Sequence, residues 1–266
     1  QSELPPEVDL RLESRVVNID YGAPDRPRVS YVDKAGKRCT VSCDQVIVTL
    51  PLGILKRGIR NGLFSPTLPD WKRHAVEGLE FGATEKVFLT WDQPWWPPEE
   101  PSGGLKEGLS FCWAADPPRV GDGEGDLRWW TEILGFYVVH GQPNTLVGWI
   151  TGEAARQMAE ASDEEVTRRC MEVIRRFCRS FGPIPDPIDM VRSSWARDPN
   201  FMGAYSYPSL RTAEKGHSFE SLSRPVGCPP RLFFAGEATV KEHYGTTHAA
   251  LGSGRREAKR VLVARR

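Results

Sequence analysis

Net charge is what this 266-residue chain lacks first: 35 lysines and arginines balance 35 aspartates and glutamates. Without a global basic field, the chain does not gather nucleic acid or an anionic membrane at long range, although a local patch would leave no mark on the total. No apolar run reaches the roughly 18 residues that a membrane-spanning helix needs. The opening QSELPPEVDL has no basic-then-apolar leader pattern. Cysteine is sparse, with six residues (Cys39, Cys43, Cys112, Cys170, Cys178 and Cys228) and no CxxC pair. That density fits reduced thiols in a cytosol-like compartment, and it offers zinc no ligand set. The five histidines, His74, His140, His217, His243 and His248, show no HExxH or paired-ligand spacing, so no metal site is expected. No GxSxG elbow and no P-loop appear, which leaves serine hydrolase and NTPase readings unsupported. Internal repeats and low-complexity tracts are also missing.

What is present is aromatic residues and alternating short elements. Nine Trp, eleven Phe and six Tyr supply core material first and ligand walls second. RVVNIDY (15–21) alternates like a strand, and RVSYV and KRCTVSC flank the DKAGK turn as a hairpin. VIVTL is a continuous apolar run that suits a strand buried on both faces, ended by Pro51, with Gly53 turning the chain away. PDWKRHAVEGLEF opens with Pro69 and Asp70 and predicts a helix, followed by the strand EKVFLTW and a Pro- and Gly-rich loop, WDQPWWPPEEPSGG. LSFCWAA, RWWTEILGFYVV and TLVGWITG alternate like strands of an antiparallel sheet. Ser162 starts the capping box S-D-E-E of a helix whose apolar positions Val166, Cys170, Val173, Ile174 and Phe177 recur at helical spacing. IDMVRSSWA and GAYSYP predict two more strands, RLFFAGE a buried one, and GTTHAALGSGRREAKRVLVARR a long helix. The expected fold class is α/β. Pieces of a parallel sheet with helices at both ends enclose an α+β domain on an antiparallel sheet, interleaved in sequence.

Four segments carry candidate chemistry. RLFFAGEATVKEHYGTTHAALGSGRREA (231–258) delivers Gly236 and Glu237 at the C-terminal end of a strand, the edge where open α/β sheets bind ligands. The helix that begins near Thr246 offers free backbone N–H groups to an anion. Its Gly252 and Gly254 each cost up to about 1 kcal/mol relative to Ala, which makes sense if a sheet or cofactor approaches closely. The plainer reading is a strand–turn–helix with glycines for packing. LRLESRVVNIDY with VIVTLPLGILK reads as sheet edge and core on its own terms. In FGATEKVFLTWDQPWWPP, Lys86 lies in an apolar strand, either snorkelling to solvent or buried for function. In SSWARDPNFMGAYSYP, alternation puts Tyr205 and Tyr207 on one face, either as half-buried strand tyrosines or as aromatic faces for an amine.

The 231–258 segment resembles the C-terminal FAD motif of the flavin-containing amine oxidase family: an apolar strand, A-G-E-x-T, then a T-x-H-G-A-L-x-S-G-x-R-E-A helix. Ala249 replaces a common glycine and Gly252 a bulkier residue, and both are small. The resemblance covers nearly the whole chain, is nearest to the polyamine oxidase type, and implies a partial GR2-type FAD-binding domain. It implies that Glu237 bonds the ribityl chain beside Gly236, and that Thr246 and Thr247 donate backbone N–H to the flavin C2 carbonyl. It implies further that a backbone amide at Val16 reads adenine and that Thr49, Leu50 and Pro51 run near the pyrophosphate. By the same resemblance Lys86 is expected to hold a water against flavin N5, Trp195 to lie against the flavin, and Tyr205 to help form an aromatic sandwich over the substrate amine. His248 is expected to pack near the cofactor.

The implied reaction is FAD-dependent oxidation of a secondary amine of spermine or an N-acetylated polyamine to an imine, which water splits to an aldehyde and a shorter amine. Oxygen becomes hydrogen peroxide. A flavin histone demethylase is the alternative within the class, although no long helical insertion of that enzyme type interrupts this sequence. A non-catalytic fragment unable to hold FAD alone is the alternative outside it. No GxGxxG follows any strand, so the chain is expected to begin after the pyrophosphate-cradling loop. It would then be a fragment, a truncated product or one piece of a split enzyme whose other half is a separate partner chain. FAD-binding residues are expected at 1–60 and 221–266, with the substrate domain at 61–220. The remaining expected partners are a small polyamine and molecular oxygen, with no nucleic acid and no membrane. A cytoplasmic location is expected, with peroxisome and nucleus left open; the closing Ala-Arg-Arg is not an S-K-L tripeptide.

Overall fold

The computed structural model describes residues 5–96, 108–113, 129–215 and 218–264. The chain forms two compact units, one from residues 1–80 with 206–266 and the other from 81–205. Mixed sheets and helices make the fold α/β.

The first unit opens with three antiparallel strands. β1 (Arg15–Asp20), β2 (Arg28–Val32) and β3 (Arg38–Ser42) follow the β-branched alternation of the sequence. The β2–β3 turn closes on Asp33, whose Oδ1 accepts from the Ala35 and Lys37 amides at 2.9 Å each. β4 (Val46–Val48) is shorter than the VIVTL run, and it is not buried on both faces: Ile47 is 40% exposed. Its two-stranded sheet explains the difference, since burial on both faces requires layers that two short strands do not carry. Gly53 does not turn the chain away; it lies in the first turn of α1 (Leu52–Arg60), and Pro51 directly precedes that helix, where its fixed φ suits a helix start. β5 (Phe64–Ser65) then runs parallel to β1, and α2 (Asp70–Gly78) follows Pro69. β6 (Leu79–Phe81) ends this stretch.

The second unit is a five-stranded antiparallel sheet with helices on one face. β7 (Thr84–Thr90) pairs with β10 (Gln142–Thr151), which pairs with β9 (Gly135–Val139) and through it with β8 (Gly108–Ser110); β11 (Asp189–Arg192) covers the other side of β7. Trp129–Glu132, expected to be extended, is a short 3-10 turn. The expected loop from residue 97 onward and the strand ends over 114–128 lie outside the described residues. α3 (Gly152–Glu160), which the sequence reading missed, buries Ala154, Ala155, Met158 and Ala159. α4 (Asp163–Phe177) starts as expected, with Ser162 Oγ accepting from the Glu165 amide at 3.2 Å. The core between sheet and helices holds Val87, Leu89, Trp91, Phe136, Leu146, Ile150, Met158 and Ile174. Burying each such large side chain stabilises the unit by about 1.5–3 kcal/mol.

The chain then re-enters the first unit. β12 (Ser206–Pro208) pairs with β6, and α5 (Leu210–Lys215) and α6 (Phe219–Ser223) lead to β13 (Leu232–Phe234), which lies parallel to β4. All three β13 residues are buried. α7 (Thr247–Ala264) closes the fold. Residues 61–80 and 206–220, read from the sequence as part of the substrate domain, therefore pack with the first unit. All six cysteines are free; burial pushes the Cys170 thiol up to about 12 and the Cys178 thiol up to about 11.

Candidate functional site

In the first unit, β4 and β13 run side by side in the same direction, with Val46 opposite Leu232 and Val48 opposite Phe234. Both strands therefore end at one edge, and a helix follows each: α1 after Thr49 and Pro51, α7 after Gly236 and Glu237. Thr49 is exposed and Pro51 half-buried, and no side chain caps the α1 start. Thr246 is the residue before α7, one position earlier than the helix itself. Its Oγ1 accepts from the Ala249 amide at 3.3 Å and donates to the His243 carbonyl at 2.6 Å. The Thr247 and His248 amides have no acceptor among the described residues, and both residues are exposed. They form the positive end of an 18-residue helix.

Polar bonds to β13 and the loop after it fix where that helix points. The Gly236 amide donates to Ser253 Oγ at 2.8 Å. Arg256 donates to the Phe234 and Thr239 carbonyls at 3.1 Å each and to Thr239 Oγ1 at 2.9 Å. Fully buried Glu257 receives Arg256 at 2.5 Å and Arg260 at 2.8 Å through Oε1, leaving Oε2 without a partner. The two helix glycines do not let the sheet approach closely: a methyl group built on Gly252 or Gly254 would meet no described residue within 4 Å. The residues that face inward are Ala249, Ser253 and Glu257. His248 is likewise not packed inward; it is exposed, its ring 5.0 Å from that of His243.

Gly236 adopts φ +133°, a conformation that side-chain-bearing residues rarely reach, and it turns the chain so that Glu237 is half-buried at the strand end. Glu237 Oε2 accepts from Ser206 Oγ at 2.6 Å and from the Gly245 amide at 2.7 Å, while Oε1 accepts only a longer bond from the Ser206 amide, at 3.3 Å. Two carboxylate oxygens accept about four hydrogen bonds. Described residues take three places, and one remains on Oε1. Val16 lies on β1 beside a register shift between Val16 and Asn18. β5 covers the far edge of β1 only at Ile19 and Asp20, so among the described residues no strand pairs that edge at Val16.

In the second unit, strand alternation divides β7 between two faces. Glu85, Val87 and Leu89 face the helices and are buried; Lys86 faces the other way and is half-buried. Its register partner on β10 is Trp149, and the Lys86 ammonium sits 4.1 Å from that ring's centroid. Glu85, fully buried, accepts from Ser193 Oγ at 2.6 Å, the Trp195 amide at 3.1 Å and the Ala196 amide at 2.9 Å. Trp195 is 41% exposed and meets Phe201 edge to face at 4.9 Å. Tyr205 is exposed. Gly203 has φ +157° just before it, and an added methyl group there would lie 2.0 Å from the Phe81 ring. Lys86 and Trp195 are thus linked through one short segment, 193–196.

The sequence reading missed Glu85, Ser193, Trp149 and Ser206. Glu85 left a signal, because it is in phase with Val87 and Leu89 on the core side of its strand. Trp149 left none, because its meeting with Lys86 depends on the register of β7 and β10. A surface groove of about 610 Å³ along α4, lined by Asp163, Arg168, Glu172, Arg175 and Asp186 among others, shares no residue with these clusters. Within it Arg168 pairs with Glu172 and Arg175 with Asp186, while Asp163 pairs with Arg192 outside it. No three-residue metal-ligand cluster exists among the described residues, and no described helix is long and apolar enough to cross a membrane.

Parallel strands that bring two helix N-termini to one edge, with a glycine and a carboxylate at the strand end, define an α/β protein that binds a nucleotide-type cofactor. The chain belongs to the flavin containing amine oxidoreductase family, whose model matches residues 2–262. The cofactor that goes with that family is FAD. Similar proteins include the bovine peroxisomal N(1)-acetyl-spermine/spermidine oxidase, 33% identical over 82% of this chain and 42% of that protein. Rice polyamine oxidase 1 is 33% identical over 97% of this chain and 53% of that protein. A possible lysine-specific histone demethylase 1 of Drosophila melanogaster is 31% identical over 96% of this chain and 28% of that protein. The chain thus spans about half, or less, of these relatives. Putrescine oxidase in its putrescine-bound structure shares the fold, with a TM-score of 0.66 at 19% identity, over 94% of this chain and 48% of that one.

Proposed function

We propose that the chain supplies part of the FAD site and the substrate-facing domain of an FAD-dependent amine oxidase acting on polyamines. The observation that carries this reading is the pair of acceptor-free amides, Thr247 and His248, at the start of a helix braced against β13. They fit a group that carries partial negative charge, and the open position on Glu237 Oε1 fits a ribityl hydroxyl. In this reading the first unit is part of a GR2-type FAD-binding domain. The second is the α+β substrate domain.

FAD held at this site would supply two-electron redox chemistry, in which the amine loses a hydride and a proton to become the imine and oxygen gains the same two electrons and two protons to leave as hydrogen peroxide. The chain's own residues position and polarise. Thr246 caps α7 and directs the Thr247 amide outward. Glu237 holds the ribityl chain while bracing Ser206 and Gly245. The edge of β1 at Val16 offers its amide to adenine, and Thr49 and Pro51 open the α1 start toward the pyrophosphate. Lys86 holds a water for imine hydrolysis, Trp195 offers its exposed face to the cofactor, and Tyr205 offers its ring to the substrate amine. The preferred substrate is a secondary amine of spermine or of an N-acetylated polyamine, a reading supported by the names of the bovine and rice relatives. Demethylation of a histone lysine is the second reading, supported by the Drosophila relative. A cytoplasmic site of action goes with the reduced cysteines.

The test is an FAD titration of the purified chain followed by gel filtration. A flavin band near roughly 450 nm that stays with the protein supports the cofactor site. A colourless protein supports the non-catalytic fragment instead. Peroxide release with spermine, N-acetylspermine or a dimethyl-lysine peptide then separates the two enzyme readings.

A further inference from the structure

We propose that Glu85 is a positioning residue that fixes Trp195 relative to Lys86, a role that rests on the flavin reading of those two side chains. Trp195 is 41% exposed, and among the described residues the edge of Phe201 is its one ring contact. Packing of that kind does not hold an indole in one place. What holds it is the backbone beneath. The Trp195 and Ala196 amides both donate to Glu85, at 3.1 and 2.9 Å, and a fully buried acidic side chain fixes both donors from the core side of β7.

Ser193 connects this anchor to the other face of the strand. Its Oγ accepts from the Lys86 amide at 2.9 Å, and its own amide donates to the Lys86 carbonyl at 3.0 Å. Its one hydroxyl proton therefore goes to Glu85 Oε2, at 2.6 Å. Glu85 meets three donors, and only an acceptor-only carboxylate satisfies all three. A glutamine at this position turns an N–H₂ group toward at least one of them, setting donor against donor in a buried site. The carboxylate is thus the group that locks Lys86 on β7 and Trp195, two residues beyond Ser193, into one rigid segment.

Fluorine NMR of the chain labelled with 5-fluorotryptophan, the Trp195 signal being identified by its loss in Trp195→Phe, reads this directly. Glu85→Gln should shift or broaden the Trp195 resonance and leave those of buried Trp91 and Trp129 in place. Amide exchange at Trp195 and Ala196 should speed up by about tenfold or more. Ser193→Ala removes only the hydroxyl link and should produce a smaller change of the same kind; it decides the matter if Glu85→Gln does not fold. An unmoved Trp195 signal and unchanged exchange over 193–197 in a folded variant would overturn the proposal. Adding FAD to the wild-type chain separates the two readings. A signal that answers to Glu85→Gln but not to FAD keeps the anchor and removes the flavin contact. One that answers to FAD but not to Glu85→Gln removes the positioning role.

Discussion

The Lys86 ammonium rests 4.1 Å from the centroid of Trp149, the residue directly opposite it in the β7–β10 ladder. An indole face attracts a cation and also shields one side of it from water. The lysine head is thereby held above the sheet while its neighbour Glu85 is locked below. In the FAD-loaded enzyme, Lys86→Met keeps the length of the stem and removes the head. Flavin content should hold, and peroxide release should slow by about 10²-fold, the order associated with a positioned proton-transfer or water-holding group. Unchanged turnover at full flavin content would take Lys86 out of the reaction.

Glu237 serves a different purpose and should fail differently. Glu237→Ala removes the acceptor for Ser206 and the Gly245 amide together with the proposed ribityl contact. FAD retention should drop by about tenfold or more, the value of one charge-assisted hydrogen bond. Ser206→Ala keeps the carboxylate and should retain most of the affinity. Full FAD retention by Glu237→Ala in a direct titration would refute the assignment.

Lys72 makes a pH prediction independent of the cofactor. It lies on the buried face of α2, and its ammonium donates to the carbonyls of Ser221 at 3.2 Å and Leu222 at 2.6 Å and to that of Arg224. Burial pushes it down from 10.5 to about 6, against the pull of Glu257. Between those values the unfolded chain binds a proton that the folded chain holds less readily. Stability should therefore rise with pH across that window, by at most about 1.4 kcal/mol per pH unit. Urea midpoints at pH 6.5 and 8 (roughly, inside the window and below ordinary thiol ionisation) should diverge in the wild type and converge in Lys72→Met. Equal slopes in both proteins would show that Lys72 keeps its proton in the fold.

Ser162→Ala tests the helix cap. Removing the acceptor for the Glu165 amide should cost about 1 kcal/mol in chemical denaturation, with α4 otherwise intact.

Period and capping were legible in the sequence, and spatial partners were not. The β2–β3 hairpin, the α4 cap and the apolar β13 all follow from local chemistry: Asp33 in the turn, Ser162 before an apolar stripe, Leu232 to Phe234 in a row. The helix α1 was hidden because Pro51 reads as a stop when it stands before a helix as a start. The helix α3 was hidden because Thr151, its N-cap residue, makes no side-chain cap bond and reads as the end of the strand TLVGWITG. Lys72 falls in the stripe Lys72, Ala75, Val76 and Leu79, so its burial left a helical-period signal that went unused. The clamp on Glu237 by Ser206 joins residues far apart in the chain and has no local signature. Glu257 lies on the inward face of α7 with Ala249 and Ser253, and its i,i+3 spacing to Arg260 was a readable pairing signal, whereas its bond to the adjacent Arg256 follows no such spacing.

The strand bearing Leu232 is synthesised long after its neighbour bearing Val46, with the whole antiparallel unit in between. That unit is one unbroken stretch and can reach its native form during synthesis, whereas the first unit stays incomplete until the second of its two parallel strands has been made. The later strand and the helix behind it complete the pairing. The amides at the head of the helix therefore find their direction only after β13 is in place, and a ribosome that stalls before β13 releases a protein with its sheet domain formed and no α7 to meet a ligand.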